Sequence, residues 1–358
     1  MTGPMEIPVI DLGGLNGGDE ERSRTLAALH DACKDWGFFW VENHGVDASL
    51  MDEVKRFVYG HYEEHLEAKF YASDLAKSLE THDVPTEGEG EGEEPSDKVD
   101  WESTYFIQHR PKSNVADFPE ITPPCRETLD AYIAQMVSLA ERLGECMSLN
   151  LGLPGGHVAD TFAPPFVGTK FAMYPSCPRP ERVWGLRAHT DAGGIILLLQ
   201  DDVVGGLEFL RGGTDWVPVG PTRGGRLFVN IGDQIEVLSG GAYRSIVHRV
   251  AAGDQGRRLS VATFYNPGPD AVVAPAARGG RRRGGGAGVP RPLQVRGLPR
   301  VLPGHQVRRQ GRQVPGRQEA ALFTGASLVR GLCVALRFDF GLACCLSIVC
   351  IVCTGSRV

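Results

Sequence analysis

The spacing of apolar and polar positions changes near Phe166, separating a mostly helical first half from a strand-rich second half. Ile7-Pro8-Val9-Ile10-Asp11-Leu12 is a short apolar run closed by Gly13-Gly14 and reads as a strand. Leu26, Leu29 and Cys33 recur at spacings of three and four, which predicts a helix over 19–35. Trp36–Val41 is an aromatic, β-prone run that ends at the turn signal Asn43-His44-Gly45. Leu50, Val54, Phe57, Val58, Tyr62 and Leu66 lay out a second helix over about 49–71, and a third covers about 126–149, stopping before Gly152-Leu153-Pro154-Gly155-Gly156. Between them, residues 83–99 are rich in Pro, Gly and Glu and read as a solvated, disordered loop.

Past Phe166 the period becomes that of strands. Eight short runs, Thr169–Tyr174, Leu186–His189, Ile195–Gln200, Leu207–Leu210, Trp216–Val219, Leu227–Ile231, His248–Val250 and Arg258–Tyr265, alternate with turns. Strands this short and this evenly spaced form sandwiches or barrels. The expected fold is mainly β with α: a double-stranded β-helix, or jelly roll, behind a helical N-terminal region. The corresponding segments are an N-terminal helical region over 5–110, a helical connection over 111–165, a jelly-roll domain over 166–275, and an aberrant, disordered tail over 276–358.

Composition alters this picture only at the end of the chain. The 358 residues are 42% hydrophobic and 23% charged with a formal net charge of −7, which argues against general nucleic-acid binding. From Ala271 to Gln318, however, there is no Asp, Glu or Lys but many Arg. Cys33, Cys125, Cys146 and Cys177 are widely spaced and show no zinc-type pairing, as expected of thiols in a reducing compartment. The other five cysteines crowd into the tail. No basic stretch followed by an apolar run opens the chain, so a cytoplasmic location is the default expectation.

Candidate chemistry concentrates in the strand-rich half. In a strand, residues two apart face one side, so His189 and Asp191 can converge, and Gly193-Gly194 allows a tight turn away from them. Alone, such a pair is more readily a polar strand end. With His248 it makes two imidazoles and one carboxylate, the facial set that binds Fe(II) and leaves three positions open. Zinc hydrolysis also fits these donors. It accounts for neither the strand pattern nor Arg258-Leu259-Ser260, where a guanidinium and a hydroxyl on one strand face can hold a carboxylate.

Several stretches resemble the plant 2-oxoglutarate/Fe(II)-dependent dioxygenase superfamily: Trp36-Gly37-Phe38-Phe39, Tyr174-Pro175-Ser176-Cys177-Pro178, His189-Thr190-Asp191-Ala192-Gly193-Gly194, Leu197-Leu198-Leu199-Gln200-Asp201 and Asn230-Ile231-Gly232-Asp233-Gln234. Val99–Phe106, Phe166-Val167-Gly168-Thr169-Lys170 and Leu186-Arg187-Ala188-His189 narrow the likeness to the 1-aminocyclopropane-1-carboxylate oxidases, over about 6–274, roughly three quarters of the chain. The resemblance implies Fe(II) on His189, Asp191 and His248, with ascorbate as co-substrate and CO2 or bicarbonate as activator in place of 2-oxoglutarate. It implies a small amino acid substrate and O2 as partners, giving ethylene, cyanide and CO2. Arg258, Ser260, Lys170, Arg187 and Tyr174 match positions that bind substrate or bicarbonate, and Phe264 and Thr169 match the pocket wall. Three cations around one small site would lower the cost of confining carboxylates away from water. For Arg187 a structural salt bridge is an equal alternative. A 2-oxoglutarate-dependent hydroxylase or desaturase on the same fold is a second reading, and an inactive iron-binding remnant a third.

The remnant reading comes from the tail. Arg278-Gly279-Gly280-Arg281-Arg282-Arg283 opens a run with nothing to form a core, where the family continues with an aromatic- and Lys-rich stretch and a C-terminal helix. Written with permitted codons and read one base later, 297–306 gives Asp-Tyr-Leu-Glu-Tyr-Tyr-Gln-Gly-Thr-Lys, which looks like the family's own ending. A frameshift near Ala276 accounts for both facts. Phe340–Cys353 is 14 residues, shorter than the ~20 that span a bilayer, so no membrane anchor is expected, and the basic stretch lacks the aromatic residues of a nucleic-acid site.

Overall fold

A computed structural model describes residues 6–80, 96–276 and the pair Leu293–Gln294. The chain divides into two units, Met1–Val307 and Arg308–Val358, and every described residue belongs to the first. The acidic run at 83–95 and nearly all of the tail, with its frameshift and anchor readings, lie outside the described residues.

Strand β1 (Val9–Asp11) leads into helix α1 (Asp19–Asp31), which widens into a π-type turn at Ala32–Trp36 and stops at Gly37, φ 78°. Strand β2 (Phe38–Glu42) follows, then α2 (Ala48–His61), capped by Asp47, whose carboxylate accepts from the Ser49 N–H at 2.8 Å. A second wide turn and the short helices α3 (Glu67–Tyr71) and α4 (Asp74–Glu80) complete the first helical stretch. Next come β3 (Ser96–Asp100), β4 (Ser103–Arg110), the 28-residue α5 (Pro123–Asn150) and α6 (His157–Phe162). Along α5 the buried positions Leu129, Tyr132, Ile133, Met136, Val137, Ala140, Leu143 and Met147 step by three and four, so one stripe of the helix faces inward.

All eight expected strands form: β5 (Phe166–Tyr174), β6 (Val183–His189), β7 (Ile195–Gln200), β8 (Leu207–Arg211), β9 (Asp215–Val219), β10 (Leu227–Ile231), β11 (His248–Ala251) and β12 (Arg258–Asn266), with α7 (Asp233–Leu238) between β10 and β11. They build two sheets. The larger runs β1-β2-β10-β7-β12-β5-β4 and the smaller β3-β6-β11-β8-β9. Four of these twelve strands come from the N-terminal half, so that region is not simply helical, and Ser96–Asp100, expected in the loop, pairs parallel with β6 instead. A last pair, β13 (Val272–Val273) with β14 (Leu293–Gln294), reaches into the segment expected to be a structureless tail.

Strand alternation explains the two hydrophobic layers. Phe39, Val41, Val167, Phe171, Leu197, Leu199, Val229 and Val261 of the large sheet pack with Leu29, Val54, Val58, Ile133, Met136 and Leu143 of the helices. Their alternates Phe38, Trp40, Ala172, Tyr174, Leu198 and Phe228 turn to the other side and meet Leu207, Phe209 and Val250 of the small sheet. The space between the sheets is therefore lined by the second set, and polar residues on the same strand faces are aimed into it.

Candidate metal centre

His189 is the last residue of β6 and His248 the first of β11, and the two lie opposite each other in the strand pairing, with ring centroids 4.2 Å apart. Asp191 stands just beyond β6, so the turn rather than strand alternation brings its carboxylate between the rings. Its Oδ1 lies 3.7 Å from His189 Nε2 and its Oδ2 3.6 Å from His248 Nε2. The three donor atoms all fall within 4.8 Å of one another.

The turn is fixed from behind. The N–H groups of Asp233, Gln234 and Gly232 donate to the carbonyls of Asp191, Gly193 and Gly194 at 2.8, 2.9 and 2.8 Å, which ties the 191–194 segment to the start of α7. Gly193 and Gly194 are needed there for closeness rather than for an unusual backbone angle. A Cβ on Gly193 would stand 2.1 Å from Asn266 Oδ1, and one on Gly194 2.3 Å from the Phe162 ring and 2.6 Å from the Tyr265 carbonyl.

Each imidazole is oriented by its far nitrogen. Nδ1 of His189 donates to the Arg187 carbonyl at 2.8 Å, and Nδ1 of His248 to the Ile246 carbonyl at 3.2 Å. With Nδ1 engaged, the Nε2 atom of each ring is left on the side of Asp191. Phe209 stacks on His248 with centroids 4.8 Å apart. Burial, then the neighbouring His248, lowers His189 to about 4, so its ring is neutral near pH 7. Burial alone would raise Asp191, but His248, His189 and a hydrogen bond from Asn230 outweigh it and hold the carboxyl below its ordinary value. The bond from Asn230 Nδ2 to Asp191 Oδ2 is 2.7 Å long. Two imidazole nitrogens and a carboxylate, each steered by an outer hydrogen bond, fit a first-row divalent ion such as Fe(II).

The other expected site residues fall into three groups. Arg258 is 3% exposed at the start of β12, with Nη2 on Gln200 Oε1 at 2.8 Å and its charge 5.2 Å over the Tyr174 ring, while Nε and Nη1 have no acceptor. Burial lowers its guanidinium from the usual value, partly offset by the nearby Tyr174, Asp201 and Tyr59. Ser260, two residues on, shares its face and is also buried. Arg258 is thus a buried cation with donors to spare. Lys170 and Arg187 are instead already paired: Lys170 Nζ lies 2.8 Å from both oxygens of Glu102, and Arg187 Nη2 3.2 Å from Asp100 Oδ2. Phe264 lies on the inward face of β12 against Phe106, at 6.4 Å. Thr169 occupies the opposite face of β5 from Lys170, fully buried on the helix side, where it meets His109 Nε2 at 3.1 Å and Thr263 Oγ1 at 3.2 Å, so strand alternation turns it away from the pocket wall.

Sequence reasoning gave no role to Asn230, Gln200, Asp100 or Glu102. The first two had a signal, since each is a lone polar residue in an otherwise apolar strand, Leu227-Phe228-Val229-Asn230-Ile231 and Ile195–Gln200. The two acids carried no such mark.

A jelly roll that gathers two histidines and one aspartate at the ends of β6 and β11 defines a non-haem Fe(II) oxygenase. The model of the 2OG-Fe(II) oxygenase superfamily matches residues 164–267, and that of the non-haem dioxygenase in morphine synthesis N-terminal region matches 7–125. Among curated relatives, 1-aminocyclopropane-1-carboxylate oxidase 1 of Arabidopsis thaliana is 50% identical over 277 residues, 76% of this chain and 84% of the relative. The protein of that name in Oryza sativa subsp. japonica is 47% identical, covering 75% and 81%. Among solved structures, JOX2 in complex with 2OG, Fe and JA superposes with a TM-score of 0.63 at 34% identity, covering 76% of this chain and 78% of that one. The rice dioxygenase for auxin oxidation gives 0.58 at 29%, covering 76% and 86%. The chain belongs to the 1-aminocyclopropane-1-carboxylate oxidase family of that superfamily. It is a non-haem Fe(II) oxidoreductase. Among the described residues, no helix is long and apolar enough to cross a membrane.

Proposed function

We propose that this chain oxidises 1-aminocyclopropane-1-carboxylate with O2 and ascorbate to ethylene, cyanide and CO2, activated by CO2 or bicarbonate. The observation that carries the reading is its 50% identity, over 277 residues that include the whole centre, to a relative named for that reaction. The electrons balance: the amino acid and ascorbate each give up two electrons and two protons, and O2 becomes two waters.

In this reading His189, Asp191 and His248 hold Fe(II), which when bound supplies open coordination positions and one-electron chemistry with O2. The protein's own groups do the rest. The Arg187 and Ile246 carbonyls fix the orientation of both imidazoles. Asn230 takes one oxygen of Asp191 and sets the angle of its carboxylate. Arg258 and Ser260 receive bicarbonate or a substrate carboxylate, a role supported by the two guanidinium nitrogens that lack an acceptor. Tyr174 supports that guanidinium from its ring face. Lys170 and Arg187 contribute positive ends at the rim, and Phe264 gives the ring an apolar neighbour.

The test is an assay of the purified chain with Fe(II), ascorbate and bicarbonate, measuring ethylene from the cyclopropane amino acid in one arm and succinate from 2-oxoglutarate in the other. Ethylene without succinate supports the reading. Succinate without ethylene assigns the site to a 2-oxoglutarate-dependent hydroxylase, which Arg258 and Ser260 also suit.

A further inference from the structure

His61-Tyr62-Glu63-Glu64-His65 sets two imidazoles four residues apart where α2 passes into the wide turn Tyr62–Leu66. That spacing places both on one side of the chain, a single turn apart. Their ring centroids lie 5.0 Å apart. Two imidazoles bound at about 2.0–2.1 Å to one tetrahedral ion have centroids about 5 Å apart, so this pair needs little movement to chelate. His61 is 6% exposed and packs between Phe57 at 5.7 Å and Tyr105 at 4.8 Å. Among the described residues no hydrogen bond engages its ring nitrogens. Burial, then the neighbouring His65, lowers its pKa, so the ring is neutral near pH 7 and has a lone pair to give. His65 Nε2 lies 3.6 Å from Glu64 Oε2, the spacing that the Asp191 oxygens keep from His189 and His248, 3.7 and 3.6 Å. Glu63 is committed elsewhere, to Arg257.

From this we infer that His61 and His65, with Glu64, form a second metal site, for a borderline divalent ion such as Zn(II). Two imidazole nitrogens, one carboxylate oxygen and a water make the tetrahedral set that such an ion takes. Among the described residues only the Fe(II) ligands already hold three donors within 4.8 Å of one another. The second set closes by rotation of His65 and Glu64, whose side chains are 39% and 75% exposed and free to turn. The two sites are separate. Phe57 meets Phe171, and Tyr105 stacks on the same ring, so His61 lies in the layer between the helices and the large sheet. His248 stacks on Phe209 on the other side of that sheet, in the space between the sheets. An ion at His61 and His65 ties the end of α2 to the turn that follows it, and stabilises the folded chain by mass action. The inference does not rest on the reaction proposed above.

Equilibrium dialysis of the metal-free full chain against buffered Zn(II) tests it, with His65→Asn as the variant, since that side chain lies at the surface and its loss leaves the core intact. Other zinc-binding groups of the chain, the Fe(II) ligands and the thiols included, contribute equally to both proteins, so the difference between them reads this site alone. Wild type should bind one zinc more per chain than His65→Asn. Glu64→Gln should hold that zinc at least about tenfold more weakly. A second measurement needs no variant: Zn(II) should protect His61 and His65 together from carbethoxylation by diethyl pyrocarbonate, read by peptide mass spectrometry. Equal zinc counts in wild type and His65→Asn, or unchanged modification of the two histidines at saturating Zn(II), overturn the inference. Unchanged zinc binding in Glu64→Gln strikes the carboxylate from the ligand set.

Discussion

Replacing Arg258 by Met should make the metal-free protein more stable and the enzyme inactive. The guanidinium is 3% exposed, donates once to Gln200 Oε1 at 2.8 Å, and keeps two nitrogens without an acceptor. Burying an ion costs several kcal/mol after relaxation, and each unsatisfied donor about 1–3 kcal/mol. Against this, the Tyr174 ring 5.2 Å away returns about 1–2 kcal/mol. Met fills most of the same space without charge, forfeits the ring contact, and leaves Gln200 Oε1 without its donor at a cost of about 1–3 kcal/mol. The balance favours Arg258→Met by on the order of 1–3 kcal/mol, with about 2–4 °C of melting temperature per kcal/mol for a domain of this size. Thermal unfolding of both metal-free proteins, with and without bicarbonate, measures it. An anion bound only by the folded state raises the wild-type midpoint by mass action. The variant should start higher, gain nothing from bicarbonate, and form no ethylene. A variant that melts below wild type without anion, or that still responds to bicarbonate, refutes the reasoning.

Asn230→Ala removes the hydrogen bond that orients Asp191 and should weaken Fe(II) binding about 10–100-fold, as measured by metal titration of the folded variant, and lower metal-free stability by the about 1–3 kcal/mol of a buried group left without its partner. Asp201 gives a pH prediction: burial pushes its carboxyl up, but the Tyr59 hydroxyl and the N–H groups of Val204, Val203 and Leu259 outweigh it and hold it below the usual range. A depressed folded-state pKa gives stability that is full above the unfolded value of ~4 and lost as pH falls through the folded value. Asp201→Asn should therefore lower stability at neutral pH by about 1–3 kcal/mol and flatten the acid limb of the stability profile, read by denaturant titration from neutral to acid pH. A chain rebuilt with the reading frame shifted near Ala276 should release more ethylene per mole of bound iron than the chain as it stands, checked side by side by headspace gas chromatography; equal yields would remove the frameshift as an influence on activity.

How much was legible in the sequence depended on whether a residue's role followed from its own strand. The eight strands beyond Phe166 and the long helix α5 follow from periodicity, because each buries one face and alternation or three-four spacing marks it. His189, Asp191 and His248 were legible as a set, but their convergence depends on a turn pinned to α7 and on the pairing of β11 with β6, neither of which a single segment encodes. Strand β3 was hidden by the acidic run before it, and its partner β6 lies more than 80 residues away. Thr169 beside Lys170 shows the cost of reading a motif as a block, since neighbours in a strand face opposite layers. A salt bridge at Arg187 was legible as one of two alternatives, but its partner and the pairing of Lys170 were not, because nothing in Asp100 or Glu102 announces which cation each will meet.

The account turns on the identity of the reaction at this centre. Headspace ethylene from the purified chain given Fe(II), ascorbate, bicarbonate and 1-aminocyclopropane-1-carboxylate tests it most directly. Ethylene that requires all four, and that disappears in His248→Ala, is the predicted result. No ethylene from either the chain as it stands or its frame-shifted counterpart, with iron bound to both, would contradict it.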